Sequence, residues 1–109
     1  MAQEYVVCEP RNEYGTVKLS KTVFSSIALN VVEEEEFVQL VESNKPFKTG
    51  IVTRIENNQL YMSIPVKIHH KANVSDVCAN LQNKIFESIS YMTDFKPESI
   101  EIQVIGFIF

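Results

Sequence analysis

Leu60-Tyr61-Met62-Ser63-Ile64-Pro65-Val66-Lys67-Ile68 alternates without a break. Leu60, Met62, Ile64, Val66 and Ile68 fall on one side of an extended chain, and Tyr61, Ser63, Pro65, Lys67 and His69 on the other. One face is suited to packing and the other largely to water. Just upstream, Gly50-Ile51-Val52-Thr53-Arg54-Ile55-Glu56 is a second alternating run, and Asn57-Asn58-Gln59 separates the two with residues that tolerate a tight turn. The reading is a hairpin with strands from Thr49 to Glu56 and from Leu60 to His69. Pro65 cannot donate to a ladder, so its amide side must face solvent or run past the end of the shorter neighbour.

Beyond the hairpin, Asn73 is a helix cap with Asp76 three residues on, near the positive end. Val74, Val77, Cys78, Leu81, Ile85, Ile89 and Met92 then recur at helical spacing, with Phe86 widening the stripe. Pro97 parts this helix from a last alternating run, Ile100 to Phe109. Before the hairpin, Thr16 to Leu19 makes a short strand with Val17 and Leu19 inward. Ser20 caps a helix carrying Val23, Phe24, Ile27, Ala28, Val31 and Val32. Glu33-Glu34-Glu35-Glu36 would oppose the macrodipole at a helix C-terminus and favour it at an N-terminus. A break near Glu33–Glu34 is therefore expected, then a second short helix from Phe37 to about Glu42, ended by Ser43-Asn44-Lys45-Pro46. The acidic run itself reads as a solvated helix start rather than a cation site.

The order strand, helix, strand, strand, helix, strand predicts an α+β fold. It is a single two-layer domain over residues 14–109, with helices on one face of a mainly antiparallel, ferredoxin-like sheet. Residues 1–13 are weakly patterned, with Pro10 and Asn12 against a strand, and are expected as a partly ordered N-terminal arm. The predicted core sets Val17, Leu19, Met62, Ile64, Val66, Ile102 and Val104 against Ile27, Val31, Leu81, Ile85 and Ile89. A chain of 109 residues that is 45% hydrophobic suits one modest core.

Composition narrows the function. A net charge of −4 argues against a general nucleic-acid or anionic-membrane binder. The first residues lack a basic start followed by a long apolar stretch, and no run approaches the roughly 20 apolar residues that cross a bilayer. The expectation is a cytoplasmic chain with no direct membrane insertion. Cys8 and Cys78 have neither CxxC spacing nor a nearby partner, which speaks against a disulfide framework or a metal site. Gly15, Gly50 and Gly106 are isolated, so no phosphate loop is read. His69 and His70 are adjacent, and neighbours on extended chain point opposite ways, unlike ligands converging on a metal. No nucleophile–base pair can be drawn. Catalytic, cofactor and metal residues are therefore all expected to be none.

Two groups remain as candidate contacts. Lys67, His69, His70 and Lys71 lie where the hairpin leaves the sheet, before the Asn73 cap. They form either a solvated loop or an anion contact at a helix N-terminus. In the last run, Ile102, Val104, Gly106 and Ile108 share one face and Gln103, Ile105, Phe107 and Phe109 the other, so from Val104 onward both faces are apolar. A sheet covered on one side does not need that. Either the arm or the Phe37–Val41 segment folds over it, or Ile105, Phe107 and Phe109 meet a protein partner such as another copy.

Three motifs carry a resemblance: Gly15-x-Val17-x-Leu19-Ser20, Asn73-Val74-Ser75-Asp76-Val77 and Tyr91-Met92-Thr93-Asp94-Phe95. Together, over roughly Tyr14 to Phe109, the chain resembles the alkaline-shock protein family of small bacterial proteins, also called the envelope stress response family. That family usually has glycine where Asp94 stands, and often a Tyr-Gly pair in place of His70 and Lys71. The resemblance implies a non-enzymatic cytoplasmic protein linked to envelope stress, found at the membrane through an anchoring protein partner. It also implies, as the alternative, a regulatory subunit for a lipid-metabolism enzyme or a small acidic metabolite. It brings no catalytic residues and no cofactor.

Overall fold

The computed structural model describes residues 5–41 and 50–109; for residues 9–12 it gives the main chain. In chain order the elements are β1 (Tyr5–Asn12), β2 (Gly15–Ser20), α1 (Lys21–Glu33), β3 (Val38–Leu40), β4 (Val52–Glu56), β5 (Gln59–His69), α2 (Val74–Thr93) and β6 (Ser99–Ile108). The fold is α+β.

β5 organises the domain. Leu60, Met62, Ile64, Val66 and Ile68 are all buried, while Lys67 is exposed. β4 pairs antiparallel with its first half, from Glu56 opposite Gln59 to Val52 opposite Ser63. Asn57 and Asn58 make the connection with φ of 51° and 58°, the left-handed values that asparagine tolerates. β3 pairs antiparallel with the far half, Val38 opposite Ile68 and Leu40 opposite Val66. Two short strands thus share one edge of one long strand, and Pro65 sits at their junction. Its carbonyl accepts from Val41 N at 3.1 Å, so its missing N–H faces the gap between them. Gly50 closes that gap: a Cβ there would lie 2.5 Å from Val41 O and 2.8 Å from Pro65 Cγ.

β6 runs parallel to β5 along its other edge, from Tyr61 opposite Ser99 to Val66 opposite Val104. The register then shifts, and Lys67 lies opposite Gly106. Both helices cover the Leu60–Ile68 face. α1 buries Phe24, Ile27, Ala28, Val31 and Val32 there, and α2 buries Leu81, Ile85 and Ile89. Among the described residues, no helix lies on the other face of the sheet.

The strand order departs from the ferredoxin-like one. That arrangement interleaves another strand between the parallel pair joined by the second helix. Here β5 and β6 are direct neighbours, and β2 leaves the sheet to pair with β1 in a separate two-stranded ribbon. Val17 accordingly is 54% exposed rather than core, and Leu19 is only partly buried. From Tyr5, the segment expected as an arm is strand. Val6 is fully buried, and the Asn58 side chain grips Val7 from both sides, accepting from its N–H at 2.8 Å and donating to its carbonyl at 3.2 Å. Long-range contacts supply what the local pattern lacked.

The short helix expected from Phe37 is strand β3 instead. β5 is longer than β4, and its unpaired half takes the nearest apolar segment into a ladder. The Ser43-Asn44-Lys45-Pro46 stop lies outside the described residues. The break near Glu33–Glu34 does occur, but no helix follows it, so the acidic run sits at the C-terminal end of α1. Glu35 meets Lys84 of α2 there at 2.6 Å. Ser20 is the N-cap position of α1, but its hydroxyl pairs with Thr22 at 2.7 Å instead of capping a main-chain N–H. Asn73 caps α2 as expected, accepting from Asp76 N at 3.1 Å.

Candidate docking site

The register shift near Ile105 sets the character of the end of β6. A bulge places an extra residue on one strand and re-aims the side chains that follow. Past it the chain is Ile105-Gly106-Phe107-Ile108-Phe109, with Ile105, Phe107 and Phe109 at 55%, 48% and 91% exposure. The three residues read from sequence as partner-binding therefore stand on the surface. Neither β1 nor β3 pairs with this strand, so the two intramolecular covers considered for it are not used as strands.

The histidines meet the same place. β5 ends at His69 and the chain turns at His70, so the two rings stack at 4.8 Å and 22° rather than pointing apart. His70 in turn stacks on Phe109 at 5.2 Å and 26°, and Phe109 leans on Phe107 at 6.5 Å. On the other side Phe37 meets His69 edge-on at 6.2 Å. Five rings thus run continuously across the end of the sheet. Main-chain groups hold both imidazoles. Lys71 N donates to His69 Nδ1 at 3.2 Å, which leaves the neutral ring's proton on Nε2. His70 Nδ1 lies 3.0 Å from Ile108 O and must donate to it, beside the His70 N–H at 2.9 Å.

Lys67 joins this end through Gly106. A Cβ built on Gly106 would touch Lys67 Cγ, Cδ and Cε at 3.7 to 3.9 Å, so the lysine stem lies over the glycine. No ion pair is seen for Lys67 or Lys71 among the described residues, whose bridges include Arg54–Glu56 and Lys84–Glu35. The candidate anion contacts and the candidate partner contacts therefore meet at one end of the sheet, where His70 stacks on Phe109 and Lys67 lies over Gly106. At the start of α2, Asn73 and Val77 bond each other and Asp76 brings a carboxylate into the first turn.

Phe37 escaped the sequence reading because it was assigned to a helix; its place just before alternating Val38 and Leu40 was the available signal. Elsewhere, an open apolar groove of about 640 Å³ runs between the ribbon and the helices, lined by Cys8, Val17, Leu19, Val23, Ile27 and Met92 among others. Burial pushes the Cys78 thiol above its ordinary value. No group of three or more His, Cys, Asp or Glu is placed to hold a metal ion among the described residues. No helix there is long and apolar enough to cross a membrane.

The comparison that decides membership is a family profile, described as having a cell envelope-related function, that matches residues 9–109. The chain belongs to the alkaline-shock protein 23 family. No curated protein and no solved structure matches it. In this member of the alkaline-shock family the recognisable motifs carry structure. Gly15 to Ser20 is β2 together with the N-cap of α1, and Asn73 to Val77 is the capped start of α2. Tyr91 to Phe95 ends that helix through a left-handed Asp94 and sets Phe95 against Phe24 at 5.9 Å.

Proposed function

We propose that this alkaline-shock family protein is a non-enzymatic interaction module of the cell envelope. It acts from the cytoplasm and reaches the membrane through a protein partner. The observation that supports this most directly is the exposed apolar end of β6, Ile105, Phe107 and Phe109, with Lys67 lying over Gly106 in the same stretch. Exposed aromatics next to cations are the composition of a docking patch, and such anchors typically carry about 2 kcal/mol or more each. The family's envelope-related function gives the setting.

The cations at this end favour one second reading, a regulatory subunit whose ligand is a lipid-metabolism enzyme or a small acidic metabolite. Capture from gently solubilised membranes separates the two. Wild-type protein should retain a membrane-associated partner, and Phe109→Glu should lose it while its circular dichroism stays native. Retention of a cytosolic enzyme, or of a small anion lost on Lys67→Ala, would move the assignment to regulation. Unchanged capture by Phe109→Glu would remove this surface from the function.

A further inference from the structure

We propose that the edge of β6 pairs antiparallel with β6 of a second copy of this chain, about a twofold axis perpendicular to the sheet. This rests on reading the β6 end as a docking surface, and it names one occupant for that surface. Three independent features point to a second copy: an open edge, its charge order and a recess beside it.

The edge comes first. Pro65 O accepts from Val41 N and His69 N donates to Phe37 O, so the odd-numbered residues of β5 turn their main-chain groups toward β3 and β4. The even-numbered ones face β6. With Met62 opposite Ile100 and Ile64 opposite Ile102, parallel bonding engages Ser99, Glu101 and Gln103. Ile100, Ile102 and Val104 then direct their N–H and C=O groups outward, where β6 has no neighbouring strand among the described residues. Ile100 O is already taken by Gln82 Nε2 at 2.9 Å. The bulge ends the regular edge at Ile105. What remains open is Ile102 to Val104, too short to template long sheets but enough to pair with itself. Centred on Gln103, it sets Ile102 of one copy opposite Val104 of the other, with roughly four main-chain hydrogen bonds.

Charge order supplies the partner's identity. Glu98 and Glu101 are exposed and stand at the beginning of β6, while Lys67 lies over Gly106 toward its end. Gln103 Nε2 holds the Glu101 carboxylate at 2.6 Å. Glu101 and Lys67 both occupy the face opposite the helices, since Ser63 pairs with Glu101 and odd positions of β5 line that face. An antiparallel twofold lays the acidic beginning of one strand beside the basic end of the other, twice. A parallel pairing would oppose like charges instead. With the extra bulge residue counted, the same pairing brings Phe107 of the second copy beside Ile100 on the helix-covered face, where α2 and the start of β6 leave a shallow recess of about 360 Å³ lined by Gln82, Phe86, Pro97 and Ile100. The contact is isologous and closes at two copies.

Sedimentation equilibrium of the full chain, up to several hundred micromolar, tests this. Wild type should be a dimer at low salt. Glu101→Lys and Lys67→Glu should each weaken it by about tenfold or more, and the two changes in one chain should restore it, because the pair is then exchanged symmetrically. All variants should keep native circular dichroism, since both side chains are at the surface. A wild type that stays monomeric overturns the proposal, as does a double variant no tighter than the single ones, or an assembly that grows beyond two copies. A monomer that still captures another protein through Phe109 would overturn the second copy alone and leave the docking surface standing. A dimer that survives Phe109→Glu with no capture lost would do the reverse.

Discussion

Asp94 closes α2 at φ 56° and ψ 22°, a left-handed conformation that costs an ordinary side chain roughly 1–2 kcal/mol and glycine almost nothing. Aspartate offsets part of that cost with its short polar side chain, and its own N–H still bonds Ser90 O at 2.9 Å. Asp94→Gly should therefore stabilise the domain by about 0.5–1 kcal/mol and raise its thermal midpoint by about 2–4 °C; an unchanged or lower midpoint would show that the aspartate side chain makes up the difference. Cys78 gives a second prediction at this scale. Burial raises its folded thiol above the ordinary 9.0. As pH rises past that value the unfolded chain loses the proton first, so stability is full below about pH 9 and declines as pH climbs through the folded pKa. Other groups titrate there too, so the comparison is with Cys78→Ala, whose alkaline denaturation should be shallower. Identical pH slopes for the two proteins would count against a shifted thiol.

Among the elements, those with strong periods were legible and the two with weak periods, β1 and β3, were not. β5 and α2 each show many matches to a single template, and both form where the pattern puts them. Truncating Leu81 or Ile85 to Ala should cost about 2–5 kcal/mol in urea unfolding, because both are fully packed between α2 and the sheet. A loss under about 1 kcal/mol at both would remove that helix face from the core. Phe37 to Val41 satisfies a helical and an alternating template equally well at such short length. What chose the strand was the free half of β5, a feature of the sheet and invisible locally. The glutamate run repeats the point: its break was readable from electrostatics, its side of the break was not, since Lys84 meets Glu35 from a helix some fifty residues away. Of the docking surface, Ile105, Phe107 and Phe109 were legible because two-sided apolarity in one strand is a local signal. Their union with the histidines required the register shift and the turn at His70, which only the folded sheet supplies.

At the scale of the molecule, the domain is a core built mainly from β5, α1 and α2, joined by Val38 of β3 and Val6 of β1, with a ribbon attached. Among the described residues the β1–β2 ribbon pairs only with itself, and its ties to the body include Val6 in the core, Leu19 packed against it and the Asn58 side chain on Val7. Val17 and Leu19 were read as core from an alternation that is real, but the face they share looks onto the open groove beside α1 and Met92. Periodicity tells which residues share a face and says nothing of whether that face finds a partner. An element with little buried apolar surface opens at lower free energy than the core it borders. Hydrogen exchange should therefore rank β1 and β2 amides well below those of β5, which ought to approach the global limit. Asn58→Gly isolates the tie, because glycine keeps the left-handed turn at φ 58° while removing both bonds to Val7. Ribbon amides should then exchange about tenfold faster, a loss near 1.4 kcal/mol, with β5 amides slowed or quickened by much less. Equal acceleration in β1 and β5 would mean that ribbon and core open together, and that the ribbon is as much a part of the cooperative unit as the strand it leans on.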